Sequence, residues 1–217
     1  MPGTVEWLPY ASGTITELEI AGSKSPIRKV TRQVAFDDAW DASRRDKIAD
    51  LFDSMAEEWS ATRDGEDRRA SIIDALERGG ITGERVIELG AGSGLGTKHL
   101  ARRFSDVVAL DLSMEMLRAA PADVGLKVRG DSSVLPFPDG IADVLTLVNM
   151  LLFPREVDRV LAGDGCLVWV NTMAHETPIH LSAEDVVAAL PGHWTATASR
   201  AGSGSWCVAR RSDRSGA

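Results

Sequence analysis

Apolar residues recur along this chain with two periods, and the breaks between them fall at glycine, proline or an acid. From 41 to 59, Ile48, Leu51, Phe52, Met55 and Trp59 return every three or four positions, which predicts an amphipathic helix. Ile72, Ile73 and Leu76 repeat the pattern over 66–78, a second helix that stops at Gly79-Gly80. Beyond this point the period changes. Val86 and Ile87 open a short apolar run, and 106–111, 126–129, 141–149 and 166–170 follow, each with the length and composition of a parallel strand. Helices are predicted between them over 95–104, from Ser113 onward, and over 154–161, and another follows over 182–190. Ser113 and Ser182 are placed as N-caps, and Gly163-Asp164-Gly165 is expected to turn the chain into the strand at 166–170. Two last strand-like runs, 194–201 and 205–210, join across Gly202-Ser203-Gly204 as a hairpin. Strands alternating with helices predict an α/β fold around an open sheet.

The first 34 residues do not share this rhythm. Prolines and glycines interrupt brief strand-like patches at 14–20 and 27–34, an irregular arm or hairpin. Its apolar Trp7, Leu8, Tyr10, Ile15, Leu18 and Ile20 are too many for a disordered tail, so the arm is expected to pack on the main domain or on a second copy, giving a homodimer. The tail 212–217 is expected to be mobile. A length of 217 residues suits one α/β domain with an added segment. The division expected is 1–80 as arm and helical lid and 81–217 as core.

Charge and cysteine content narrow the partners. A net charge of −8 disfavours nucleic acid and anionic membrane surfaces. Cys166 and Cys207 lie in apolar runs outside any metal-binding spacing and are expected to be buried free thiols; no metal is predicted. With no signal-like or membrane-spanning run, a soluble cytoplasmic setting is the expectation.

The candidate chemistry centres on 86–94, Val-Ile-Glu-Leu-Gly-Ala-Gly-Ser-Gly, a strand that ends in an acid and then a glycine turn. A phosphate-binding P-loop is excluded, because Lys98 follows Thr97 rather than a glycine. A dinucleotide pattern needs a third glycine at 95 or 97, where Leu95 and Thr97 stand. Glu88 through Gly94, E-x-G-x-G-x-G, instead resembles the first motif of class I S-adenosylmethionine-dependent methyltransferases. In that resemblance Glu88 takes the ligand's ammonium, and the backbone at Gly90, Gly92 and Gly94 lets the amino-acid moiety approach.

Further motifs follow in order. Asp111 closes a strand about twenty residues after the glycine turn, placed to accept from both ribose hydroxyls. Asp111–Leu117 resembles the family's D-x-S-x-x-M-L run, which puts Leu112 against adenine. Gly130-Asp131-Ser132-Ser133-Val134-Leu135-Pro136-Phe137 resembles its G-D-x-x-x-L-P-F loop. This implies that Asp131 accepts from the adenine amino group and that the Ser132 N–H reaches a ring nitrogen. Phe52 to Trp59 resembles a helix that covers the cofactor, and Trp59 is a candidate contact, with Arg63 a weaker one. Asn149 and Met150, at the end of a strand, are expected to face cofactor and substrate. At Arg159–Gly165 the chain departs from the family's R-V-L-x-P-G-G, with Gly163-Asp164 where Pro-Gly is usual.

The resemblance implies a Rossmann-like, seven-stranded, mostly parallel sheet with a C-terminal antiparallel hairpin, helices on both faces and an N-terminal lid. It implies S-adenosylmethionine as methyl donor, S-adenosylhomocysteine as product, and a small-molecule acceptor methylated at oxygen, nitrogen or carbon. The N/D-P-P-Y motif of many amino-group methyltransferases is absent, since Met150 follows Asn149. Of the four histidines, His175 and His180 flank a loop bordering the expected substrate pocket, and His175 is the candidate base. The rival expectations are a non-catalytic cofactor-binding scaffold, a protein methyltransferase and a nicotinamide-dependent oxidoreductase.

Overall fold

The computed structural model describes residues 3–11, 25–62 and 65–212; the patch at 14–20, Arg63 and the tail beyond Ser212 lie outside them. The chain runs β1 (Thr4–Trp7), α1 (Pro26–Asp37), α2 (Ala42–Thr62), α3 (Glu66–Arg78), β2 (Arg85–Leu89), α4 (Thr97–Leu100), β3 (Asp106–Asp111) and α5 (Met114–Ala119). It continues with β4 (Leu126–Arg129), β5 (Ala142–Val148), α6 (Pro154–Val160), β6 (Leu161–Asn171), a 3₁₀ turn (Ala174–Glu176), α7 (Ala183–Ala189), β7 (Trp194–Ala201) and β8 (Gly204–Arg211). Among the described residues the strands form one sheet in the order β1-β7-β8-β6-β5-β2-β3-β4. Only β8 runs antiparallel to its neighbours, β6 and β7.

Helices cover both faces, and the sequence shows why. β2, β3, β5 and β6 bury nearly every residue, so each contributes to two apolar layers at once. Leu145, Leu147 and Trp169 pack with Val186 of α7 and Trp194 in one layer. Val86, Val144, Val168 and Trp206 pack with Ile72 and Ala75 of α3 in the other. The Trp206 indole donates to Asp74 at 2.7 Å, fixing α3 on the hairpin. Ser113 caps α5 by accepting from Met116 N–H, and Ser182 with Asp185 forms a capping box on α7.

Several details differ from the sequence pattern. The sheet has eight strands rather than seven, because Thr4–Trp7 pairs parallel with β7, Thr4 opposite Thr195. The 27–34 patch is helical, not strand: Pro26 opens α1, and Val30, Thr31 and Val34 fall at three- and four-residue steps that outweigh their β-branching. The helix expected over 95–104 is regular only over α4. Gly163-Asp164-Gly165 is not a turn before β6 but an irregularity within it, where pairing passes from Ala142–Leu161 to Val144–Cys166.

The described part of the N-terminal arm packs on its own chain. The Trp7 indole donates to Glu184 at 2.9 Å, and the Arg200 guanidinium stacks over Trp7 and Tyr10 at 5.9 and 5.5 Å from the ring centres. Cys166 and Cys207 are buried and unpaired as disulfides. Among the described residues no helix is long and apolar enough to cross a membrane.

Candidate functional site

Parallel strands all deliver their carboxyl ends to one edge, and the sheet order arranges what they deliver in a row. Asp131 follows β4, Asp111 ends β3, Glu88 lies on β2, and Asn149 and Thr172 follow β5 and β6. Together with α1 and α2 they wall a cavity of about 320 Å³. That is within the size range of small-molecule sites.

The glycine turn is held from behind. Gly90 and Ala91 N–H groups donate to the Leu110 carbonyl at 2.8 and 3.0 Å, and Gly90, Gly92 and Gly94 have φ of +70°, +55° and +84°. A side chain at Gly90 would collide with the Met150 sulfur, and one at Gly96 with the Glu88 carboxylate; at Gly92 it would enter open space facing the cavity. The turn therefore leaves bare backbone facing the cavity at Gly92.

Glu88 is buried and accepts from the Thr97 hydroxyl. Burial pushes its carboxyl up to about 8; the Thr97 bond opposes this and the Asp111 charge adds to it. Bringing a cation beside it restores the carboxylate. Asp111 accepts from Gly92 N–H at 2.7 Å and Ser113 N–H at 2.8 Å, so it shapes the turn and the start of α5 while still lining the cavity. Burial raises its pKa, and those N–H bonds resist the rise.

Asp131 accepts from Ser133 N–H at 2.8 Å and, with its other oxygen, from the Trp40 indole at 3.1 Å. Leu112 and Ser132 line the cavity beside it. Asn149 has φ +51° and bonds Thr172 twice, its amide donating to the hydroxyl and its carbonyl accepting from the N–H, each at 2.9 Å. This double bond ties the ends of β5 and β6 together at the cavity floor. Trp59 lines the cavity, edge-on to Phe52 at 5.3 Å.

The wall contributed by α1 and α2 is apolar. Ile27, Ile48, Leu51, Phe52 and Met55 line the cavity together with Leu151, Phe153 and Ile179. α2 is fastened by Asp53, which accepts from the Ser113 hydroxyl and from Glu115 N–H at 3.2 Å; the Ser113 bond foremost holds the Asp53 carboxyl below its usual range. α1 is fastened by Arg28, whose guanidinium donates to the carbonyls of His175 and Thr177. Trp40, between the two helices, stacks edge-on against Phe153 at 5.4 Å. Neither Trp40 nor the fastening role of Asp53 was predicted from the sequence. The only local signal for Trp40 was a lone tryptophan between two helical patterns.

The structure does not bring His175 to the cavity. Its side chain is 59% exposed on the 3₁₀ turn and sits 3.0 Å from the Glu176 carboxylate. The Arg28 contact pulls the His175 carbonyl inward and leaves the ring outside. His180 is half-buried, and burial with the nearby Arg28 charge pushes its imidazole down to about 4, so it is neutral at pH 7.

Strand ends, glycine turn and covered cavity belong to a Rossmann-like fold of the kind seen in methyltransferases. Residues 87–168 match the model of the methyltransferase domain family. That match takes in fewer than half of the chain's 217 residues. It is 34% identical over 128 residues to the demethylmenaquinone methyltransferase of Renibacterium salmoninarum, covering 55% of this chain and 53% of that protein. It is 36% identical over 143 residues to that of Mycobacterium marinum, covering 60% and 61%. The chain thus spans little more than half the length of these relatives. The DhpI–SAH complex superposes with a TM-score of 0.65 at 22% identity, over 78% of this chain and 98% of that one. A Thermotoga maritima S-adenosylmethionine-dependent methyltransferase, described as a possible histamine N-methyltransferase, superposes at 0.60 and 13% identity, over 76% and 100%. Both show the same fold.

Proposed function

We propose that the protein transfers a methyl group from S-adenosylmethionine to an apolar small molecule held under α1 and α2. The observation that carries this is the contrast inside one cavity: three acids on the strand ends and an apolar lid wall opposite. The residues present fit the donor. Glu88 is a buried acid suited to an ammonium, the bare backbone at Gly90, Gly92 and Gly94 suits an amino-acid chain, and Asp111 suits a ribose diol. Leu112, Asp131 and Ser132 form the adenine end, while Asn149 and Trp59 border the reacting centre.

When bound, the sulfonium supplies an electrophilic methyl with its own leaving group. What remains for the protein is to hold the acceptor in line and exclude water. Ile48, Leu51, Phe52 and Met55 do both, since they offer apolar surface and no competing nucleophile. Among the described cavity-lining residues none is a histidine. The demethylmenaquinone methyltransferases are named for an acceptor, and that name supports a small-molecule substrate here.

The test is incubation with methyl-labelled S-adenosylmethionine and a metabolite extract split into organic and aqueous fractions. Label is expected to pass into an organic-soluble product. Tight donor binding with no transfer to either fraction would instead favour the non-catalytic scaffold, and transfer to protein would favour the protein methyltransferase.

A further inference from the structure

Among the described residues, Asp131 is the strand-end acid that bonds the segment joining α1 to α2. One of its oxygens accepts from Ser133 N–H at 2.8 Å and the other from the Trp40 indole at 3.1 Å. A carboxylate offers about four lone-pair sites, so each oxygen keeps one. Asp131 also lines the cavity, and a further N–H from a ligand is accepted there without displacing either bond.

Trp40 lies in the joint 38–41. Asp38 turns the chain with φ +53°, its carbonyl accepting from Trp40 N–H at 3.0 Å, and the Gln33 carbonyl of α1 accepts from Ala39 N–H at 3.2 Å. From α2 the Arg44 guanidinium donates to the Ala39 carbonyl. The indole therefore leaves a turn tied to both helices. Its ring lies edge-on to Phe153 and belongs to a cluster with Val30 and Val34 of α1 and with Leu151. Leu151 and Phe153 line the cavity. One side chain thus holds a strand-end acid by its N–H and the apolar wall by its ring.

We propose that Trp40 couples the two parts of the cavity, so that adenine bound at Asp131 tightens α1 over the acceptor space; this rests on the donor reading given above. Asp131 is half-buried, and in the free protein its carboxylate turns among water partners as well as Trp40. An adenine amino group on a remaining lone pair fixes the carboxylate, and the Trp40 bond then forms at a smaller entropic cost. By linkage a fixed joint favours adenine to the same degree. The coupling passes through this one side chain, which leaves the rest of the wall independent of the strand ends. Trp40 is a positioning residue.

The experiment is hydrogen exchange with and without saturating S-adenosylhomocysteine, on the wild-type protein and on Trp40→Phe, which keeps a ring against Phe153 and removes the N–H. In the wild type the ligand is expected to slow exchange at least about fivefold both in the turn 90–94 and in α1. In Trp40→Phe the turn should be protected as before and α1 by less than about twofold. A second arm uses the wild-type protein and the same ligand with hydrogen in place of the adenine amino group. At saturation it is expected to protect the turn and to leave α1 as in the free protein.

A protected turn with an unresponsive α1 in the wild type would overturn the coupling and leave the donor reading intact. Protection of α1 that persists in Trp40→Phe, or with the ligand lacking the amino group, would overturn it too. Faster α1 exchange in Trp40→Phe with the ligand-induced ratio unchanged would reduce Trp40 to a structural contact. A wild-type protein in which neither segment responds would remove the donor reading, and the coupling with it.

Discussion

At the strand ends, Asp111 accepts from the N–H groups of Gly92 and Ser113, Asp131 from that of Ser133, and Asn149 and Thr172 bond each other twice. On the other wall, α1 and α2 present aliphatic and aromatic side chains and reach the core through a few separate fasteners at Arg28, Trp40 and Asp53. One wall has its polar atoms fixed before any ligand arrives. The other offers area without direction. The first suits a ligand of constant charge pattern, because preoriented dipoles need no rearrangement on binding. The second can be altered residue by residue without disturbing the first, which is how one fold serves many acceptors.

The sharpest break in this contrast is Asp111→Ala. It strips the acceptor from two N–H groups and is expected to cost about 2–4 kcal/mol of stability and more than about 100-fold in S-adenosylhomocysteine affinity. Denaturant unfolding and calorimetry read the two losses, and a change under twofold in affinity would refute the role. On the wall of α1 and α2, Ile48→Glu places a carboxylate in the apolar chamber. Methyl transfer should fall about 100-fold while donor affinity stays within about twofold, the reverse split from Asp111→Ala. A loss of donor affinity as large as the loss of transfer would show that the two walls are not independent.

Glu88→Gln sharpens the comparison through pH. The Glu88 carboxyl sits at about 8 in the fold against 4.5 for the free side chain, so the folded state binds more protons than the unfolded one between those values. Its contribution is fullest at low pH and is lost as pH rises from 4.5 through 8. The glutamine variant should therefore gain thermal stability over wild type at pH 9 and gain less at pH 6. Its donor affinity should drop by about tenfold. Parallel melting profiles across that range would remove the buried-acid explanation. The smallest effect is expected for Asp53→Ala. Hydrogen exchange should quicken several-fold in α2 and be unchanged in β2 and β5; uniform exchange across the molecule would refute a local fastening role.

The strand-end wall was legible because it is written in short, contiguous runs. β4 and α3 appear at the residues their patterns predict, and Glu88, Asp111 and Asp131 all sit at one edge because parallel strands leave no other place for them. The wall of α1 and α2 was less legible because its contacts span the chain. Trp40 meets Asp131 across 91 positions and Asp53 meets Ser113 across 60, separations that no local periodicity encodes. The strand Thr4–Trp7 became visible only once β7 supplied its partner. The placement of His175 depended on a backbone contact with Arg28, and a sequence does not show which way a loop imidazole will face.

That first strand also has a consequence for handling the protein. With β1 in place, the outer backbone of β7 is paired over Thr195 to Ala198, and the indole of Trp7 lies along α7. A cleavage or fusion that displaced Thr4–Trp7 would leave the cavity's own residues in place yet uncover a row of amide and carbonyl groups flanked by buried tryptophan. Such an edge is a template for other chains. Thr4–Trp7 thus covers an edge at the end of the sheet away from the cavity.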